Sequence, residues 1–264
     1  MLIIGEIEYA NVYPIFYNLK KKNFEEFRFI KSYPSILNKA LREGGIDISC
    51  CSSIEYVRNC GNYYILPDIS ISSLKEVKSV CLFSNYDIKY LKNKKIYLTE
   101  ESGTSIVLLK IIFKKFYNVE INFSPNKDEC EAFLYIGDKA LYKYYNNEFK
   151  YIFDLGKIWY EATGLPFVYA LWLVSKETYS KKRELIKKLY NELIKIKNDS
   201  KLNLSSLVEH YFFKGLTPYQ IIDYWEIINY NLSKKHIEGL NLFYKYAYEI
   251  GEVKNICELD ILNF

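Results

Sequence analysis

The sequence predicts an α/β protein of two lobes, on three observations. Short apolar runs alternate with amphipathic helical stretches over the first two-thirds of the chain, the order that builds mostly parallel sheets flanked by helices. An apolar strand, a small polar turn and a helix start follow one another over residues 45–56, and again over 132–145. The last third reads as helices alone, and 264 residues suit one large domain or two lobes of ordinary size.

In chain order, residues 2–7 (Leu-Ile-Ile-Gly-Glu-Ile) form a first strand that turns through Ala10-Asn11-Val12-Tyr13-Pro14 into a helix near 15–21. Residues 27–30 alternate as a strand. Pro34 opens a helix through Leu37 and Leu41, with Ser32 as its expected cap and Gly44-Gly45 as its end. Residues 46–51 give a third strand, closed by Ser52-Ser53 and a short helix through Tyr56. In the middle, 95–99 is a strand, 100–105 a polar turn and 106–116 a helix. Residues 132–136 are a strand ending in Gly137-Asp138 before a helix over 139–145. Further on, Leu185, Leu189, Leu193 and Ile196 share one stripe of a helix over 184–197. Thr217-Pro218 starts a helix over 219–230, and Ser233 caps a last one that Gly251 ends.

Half of the residues are apolar and 26% are charged, which excludes a disordered or low-complexity chain. A net charge of +4 with dispersed lysines carries no nucleic-acid footprint. The longest apolar run, 165–174, is too short to span a bilayer, and no leader is visible, so no membrane partner and a cytoplasmic protein are expected. The six cysteines form no CxxC pair and lie far from His210 and His236, so neither zinc nor disulfides are expected, only buried thiols. The aromatic content is high at 17%, with 27 tyrosines.

Three turns at strand ends are candidates for binding, because ligands of open α/β sheets gather there. The turn Thr99-Glu100-Glu101-Ser102-Gly103-Thr104-Ser105 places hydroxyls and a glycine at a helix start, where free N–H groups and the dipole suit carboxylate or phosphate. It lacks the Gly-Lys-Ser/Thr of a Walker loop, and an ordinary N-cap explains it equally well. Ser52-Ser53 and Gly137-Asp138 occupy equivalent positions, again with capping as the plain alternative. Asn11 alone is uninformative. No histidine falls near these turns, so a general base of the usual kind is not visible.

Taken together, the segments resemble the MqnA family, the chorismate dehydratases of the futalosine route to menaquinone. The resemblance rests on Gly5-Glu6-Ile7-Glu8-Tyr9-Ala10-Asn11-Val12-Tyr13-Pro14, Pro34-Ser35-Ile36-Leu37-Asn38, Ile46-Asp47-Ile48 through Ser52-Ser53-Ile54-Glu55-Tyr56, and Val77-Lys78-Ser79-Val80. It continues in Ser102-Gly103-Thr104-Ser105, Ile136-Gly137-Asp138-Lys139, Asp154-Leu155-Gly156-Lys157-Ile158-Trp159 and Thr163-Gly164-Leu165-Pro166-Phe167-Val168-Tyr169.

This resemblance implies the two-lobed fold of periplasmic binding proteins, with lobe 1 over 1–83 and 172–264 and lobe 2 over 84–171. It implies dehydration of chorismate to 3-[(1-carboxyvinyl)oxy]benzoate without metal or organic cofactor, by a monomer or homodimer. Asn11 matches the asparagine after the family's first strand and Ser79 the serine of its Ser-Val stretch; both are expected to be catalytic, Asn11 by contacting the reacting part of the ring and Ser79 by gripping a carboxylate with the 102–105 turn. Ser52, Ser102, Gly103, Thr104, Ser105 and Asp138 are the expected substrate contacts, with Asp138 leaning toward a cap.

Three positions depart from the family pattern: Ala10 before Asn11, Lys75 in place of a glycine, and Gly103 where a basic residue is common. The last leaves anion binding to backbone dipoles or to a cation elsewhere. A non-catalytic binding module for a small carboxylate is the alternative. The 1,4-dihydroxy-6-naphthoate synthase of the same pathway shares the fold but lacks support in the first turn. Of the aromatic residues, Tyr9, Tyr13, Phe167 and Tyr169 are placed to wall a cleft, and those of the C-terminal helices are expected to be filler.

Overall fold

The computed structural model describes residues 1–98, 102–200 and 203–264. Strand β1 (Leu2–Ile7) lies parallel to β2 (Phe27–Ser32) and β3 (Ile48–Ser52), with α1 (Tyr13–Lys21) and α2 (Pro34–Arg42) as crossovers. A short α3 (Ser53–Arg58) leads into β4 (Tyr63–Ser73). The chain then builds a second sheet from β5 (Val80–Ser84), β6 (Lys95–Tyr97), β7 (Asn122–Ser124), β8 (Ala132–Ile136) and β9 (Tyr151–Asp154). Helices α4 (Gly103–Ile111), α5 (Gly137–Tyr145) and α6 (Leu155–Thr163) belong to this part. Strand β10 (Phe167–Ser175) returns to the first sheet, followed by α7 (Lys176–Ser200), α8 (Leu204–Val208), α9 (Pro218–Ile227), β11 (Ile228–Asn229) and α10 (Lys234–Glu249).

The spatial orders are β11-β4-β10-β3-β1-β2 and β7-β6-β8-β5-β9. Burial explains the middle positions. Every residue of β3 and β5, and all but the last of β10, is buried, as strands covered on both faces must be. Their sequences are accordingly near-continuous apolar runs, whereas β2 and β7 show solvent-exposed residues and lie at edges. The sheets are mixed, which corrects the expectation of mostly parallel ones: β10 runs antiparallel to β3 and β4, and β5 antiparallel to β8 and β9. The strands next to the crossings between sheets impose this, because they enter each sheet against its parallel units. The chain passes from one sheet to the other at 74–79 and 164–166.

Other elements differ in instructive ways. Strand β4 carries Pro67 and Asp68, the latter at φ +61°, which hides it from a strand pattern, and its register against β10 shifts. Helix α2 begins after Tyr33 with no side-chain cap, so Ser32 does not serve. Thr217 does cap α9, with Gln220 reciprocating. Helix α7 starts at Lys176 and kinks at Lys182, so the striped segment is its second half.

The cysteine expectation is also corrected. Cys60 and Cys257 form a disulfide, because the chain after α10 returns along β4, with Leu262 N–H donating to Ile65 O at 2.9 Å. A separation of 197 residues hides that pairing from spacing rules. Cys50, Cys51 and Cys81 are free, fully buried, and burial pushes their thiols up. No helix among the described residues is long and apolar enough to cross a membrane.

Candidate active site

The strand-end turns meet between the two sheets around a cleft of ≈ 60 Å³. Its walls include Asn11, Ser52, Ser79, Ser102 and Ser105 with the rings of Tyr9 and Tyr169. Two seams hold it together. In the first, Asp138 Oδ1 accepts the Ala10 N–H at 2.9 Å while the Gly137 N–H donates to Ser79 O at 2.8 Å. Gly137 is required there: φ is +56°, and a Cβ would lie 3.0 Å from the Tyr9 ring. In the second seam, Thr104 Oγ1 accepts the Ile54 N–H at 3.0 Å and lies 3.3 Å from Ser53 Oγ.

The two residues expected to be catalytic are held differently. Ser79 is 2% exposed, and its Oγ accepts a hydrogen bond from Tyr224 OH at 2.8 Å. Lys78 before it sits at φ +57°, and Ser79 N–H closes a three-residue turn onto Val77 O at 2.6 Å. A left-handed non-glycine residue costs about 1 kcal/mol or more and needs surrounding support. Asp154 supplies it, accepting the Val77 and Lys78 N–H groups at 2.9 and 2.7 Å, and Asp223 pairs with Lys78 Nζ at 2.5 Å. Burial pushes the Asp154 carboxyl above its ordinary range despite these donors. The left-handed position is therefore Lys78, three residues beyond the Lys75 that replaces a glycine. Among the described residues Asn11 is held through the backbone of its turn: Tyr230 OH donates to Asn11 O, and Trp225 Nε1 to Ala10 O, both at 2.8 Å. Its side-chain Oδ1 is buried and has no partner among the described residues. A buried acceptor left so is costly, and a ligand donor satisfies it.

At the far end, Ser102 caps α4 by accepting the Ser105 N–H at 3.3 Å, and Ser105 Oγ donates to Ser102 Oγ at 3.2 Å. Thr99, Glu100 and Glu101 of that turn lie outside the described residues. Thr104, fully buried, serves the seam and does not line the cleft, and Gly103 faces an adjoining pocket of ≈ 200 Å³ that shares Ser52 with the cleft. Asp138 likewise is not among the lining residues; it does not cap α5, whose start has no side-chain cap, and instead accepts the Ala10 N–H across the first seam. His236 pairs with Ser233 at the start of α10, and His210 stacks on Tyr17; neither lines the cleft. Among the described residues no group of three His, Cys, Asp or Glu side chains is placed to hold a metal ion. A wider hollow of ≈ 650 Å³ near Lys75 and Tyr160 contains none of the expected residues.

The residues missed in the sequence are those behind the turns. Tyr224, Trp225 and Tyr230 brace Ser79 and the Asn11 turn, and Tyr244 OH donates to Ser53 O at 2.6 Å. The expectation that C-terminal aromatic residues are filler fails for these four, because their polar tips reach turns 145 or more residues away in the chain. It holds for the exposed Tyr219 and Tyr248. Tyr13 lines a neighbouring pocket, and Phe167 is core, packed on Trp159 and Phe243.

The arrangement offers hydroxyl and amide groups on a largely apolar cleft, with no charged side chain lining it among the described residues. It suits a reaction that needs orientation and hydrogen bonding more than a strong protein base.

Comparison with known proteins agrees with this picture. The family model described as menaquinone biosynthesis matches residues 2–249. A curated Thermus thermophilus protein named chorismate dehydratase is 30% identical over 201 residues, covering 66% of this chain and 70% of its own. A Campylobacter jejuni protein of the same name is 29% identical over 252 residues, covering 92% and 96%. Among solved structures, a Candida albicans protein described as having the generic periplasmic binding protein fold superimposes with a TM-score of 0.70 at 11% identity, covering 95% of this chain and 91% of that one. At that identity it shows the fold alone.

Proposed function

The chain belongs to the menaquinone-biosynthesis family, and from that premise we propose that it is a chorismate dehydratase, a hydro-lyase that converts chorismate to 3-[(1-carboxyvinyl)oxy]benzoate and water. The observation that carries the reading is the pairing of Asn11, whose Oδ1 has no partner among the described residues, and the braced Ser79 on one cleft.

Dehydration removes a proton from the ring carbon bearing the enolpyruvyl ether and the hydroxyl from the neighbouring carbon. The electron pair of the C–H bond becomes part of the new aromatic ring. That aromatisation supplies most of the driving force, so the protein mainly orients the ring, bonds the departing oxygen and excludes water. Asn11 and Ser79 contact the reacting part of the ring, and hydrogen bonds aimed at developing charge are worth about 10²–10³ in rate each. Among the described residues no carboxylate or histidine lines the cleft, and we assign the substrate's enolpyruvyl carboxylate as acceptor of the proton, which then leaves with the hydroxyl as water.

A volume of ≈ 60 Å³ is well below the roughly 300–1,000 Å³ of small-molecule sites, so the ring enters by parting of the two sheets. Purified protein incubated with chorismate is expected to yield the aromatic ether, followed by absorbance and mass spectrometry. Binding of chorismate without product would identify a solute-binding module instead.

A further inference from the structure

Among the described residues no charged side chain lines the cleft, yet the substrate proposed above carries two carboxylates. The missing charge lies next door. Ser52 and the Ser102-Gly103 turn separate the cleft from the ≈ 200 Å³ pocket bounded by Ser35, Asn38, Arg42, Arg58 and Gly103. Arg58, at the end of α3, lays Nη1 directly on the first residue of α4: a Cβ built on Gly103 would come within 3.1 Å of it.

That placement is electrostatically awkward. The first turn of a helix is its positive end and disfavours a cation, and no acidic residue occupies the first turn of α4. Among the described residues the ion-pair partner of Arg58 is Glu252, 3.6 Å from Nη2 and so on its other nitrogen. Arg42 does not compensate, because it is committed to Glu55 at 2.6 Å. Asn38, 8% exposed, lines the same pocket; its Oδ1 is an acceptor and bonds no anion, so its amide N–H groups are the part that can donate there. A guanidinium and a helix start around one small space make a place for an anion on the Nη1 side of the fork, which Glu252 leaves open.

We infer that this pocket is the carboxylate end of the cleft, with Arg58 as the counter-charge to one substrate carboxylate and Gly103 leaving the space its guanidinium needs. The inference rests on the chorismate reading for the identity of the acid. Arg58 reaches across from the first lobe to the second, so a bound carboxylate also joins the two.

The test measures steady-state turnover of chorismate by the full chain and, separately, thermal protection by benzoate and by its neutral analogue benzamide. Arg58→Ala is expected to raise KM at least tenfold with kcat changed less than threefold, Arg58→Lys to recover part of the loss, and Arg58→Ala/Gly103→Arg to recover more. Glu252→Gln, which removes the ion pair and keeps the guanidinium, is expected to leave KM within twofold. Benzoate is expected to raise the Tm of the wild type and not of Arg58→Ala, and benzamide to raise neither. A wild-type KM in Arg58→Ala, a double variant no better than Arg58→Ala, equal benzoate protection of both proteins, or a Glu252→Gln defect as large as that of Arg58→Ala would each overturn the inference. Arg58-dependent benzoate protection in a protein that leaves chorismate unchanged would uphold the carboxylate pocket and sink the dehydratase reading.

Discussion

Two regions of the molecule build the site by opposite means. The strand-end turns around Asn11, Ser52, Ser79 and Ser102 supply small polar groups and little packing of their own. The C-terminal segment from Thr217 to Ala247 supplies none of the cleft lining, yet four of its aromatic residues hold three of those turns in place. The contrast separates groups that touch a ligand from groups that aim them. Asn11 and Ser79 show it most sharply: Ser79 has its oxygen bonded by Tyr224, whereas Asn11 is fixed by its backbone and its Oδ1 has no partner among the described residues. On the proposed function, the hydroxyl is oriented before substrate arrives and the amide completes its bonding when substrate does.

Substitutions can break this division of labour, and the largest effects belong to the turns. Asn11→Ala and Ser79→Ala are each expected to lower kcat about 10²–10³-fold with Tm nearly unchanged, as removal of one aimed hydrogen-bonding group does. Wild-type turnover in both variants would remove them from the mechanism. Tyr224→Phe comes next. Losing one neutral hydrogen bond of about 1 kcal/mol reduces kcat several-fold to tenfold, with KM within about threefold. A change confined to KM would show that Tyr224 shapes binding instead.

Trp225→Phe sharpens the contrast from the other side, because its effect is mainly on stability. The indole is 1% exposed and donates to Ala10 O, so about 1–3 kcal/mol should be lost in a denaturant titration, with a smaller fall in kcat. The smallest effect is that of His236, 3% exposed, whose pKa burial lowers. The native state then binds fewer protons than the unfolded chain. Its stabilising contribution is complete above the unfolded value of about 6.5 and is lost as pH falls below it toward the lower folded value. His236→Gln should flatten that part of the stability profile; an unchanged slope would show that another group titrates there.

How much of this was legible in the sequence follows the same division. Turns at strand ends are local, so Ser52, Ser102 and Ser105 could be singled out from neighbouring residues, whereas Asn11 and Ser79 stood out only through the family resemblance; all five line the cleft. Capping by Thr217 was legible for the same reason. The braces were not, because a tyrosine on an amphipathic helix gives no sign of which distant carbonyl or hydroxyl its tip meets. Arg58 was hidden likewise: the glycine at 103 announced a missing cation, but only the packing of α3 on α4 shows where one stands. The disulfide and the antiparallel course of β10 depend on where the chain returns, which local patterns do not encode.

The central claim is that Tyr224 acts through Ser79, and a double-mutant cycle on chorismate turnover tests it directly. If Tyr224 only aims the Ser79 hydroxyl, Tyr224→Phe/Ser79→Ala will have the kcat of Ser79→Ala alone, since nothing is left to aim. A double variant slower by the full product of the two single effects would show independent action and contradict the account.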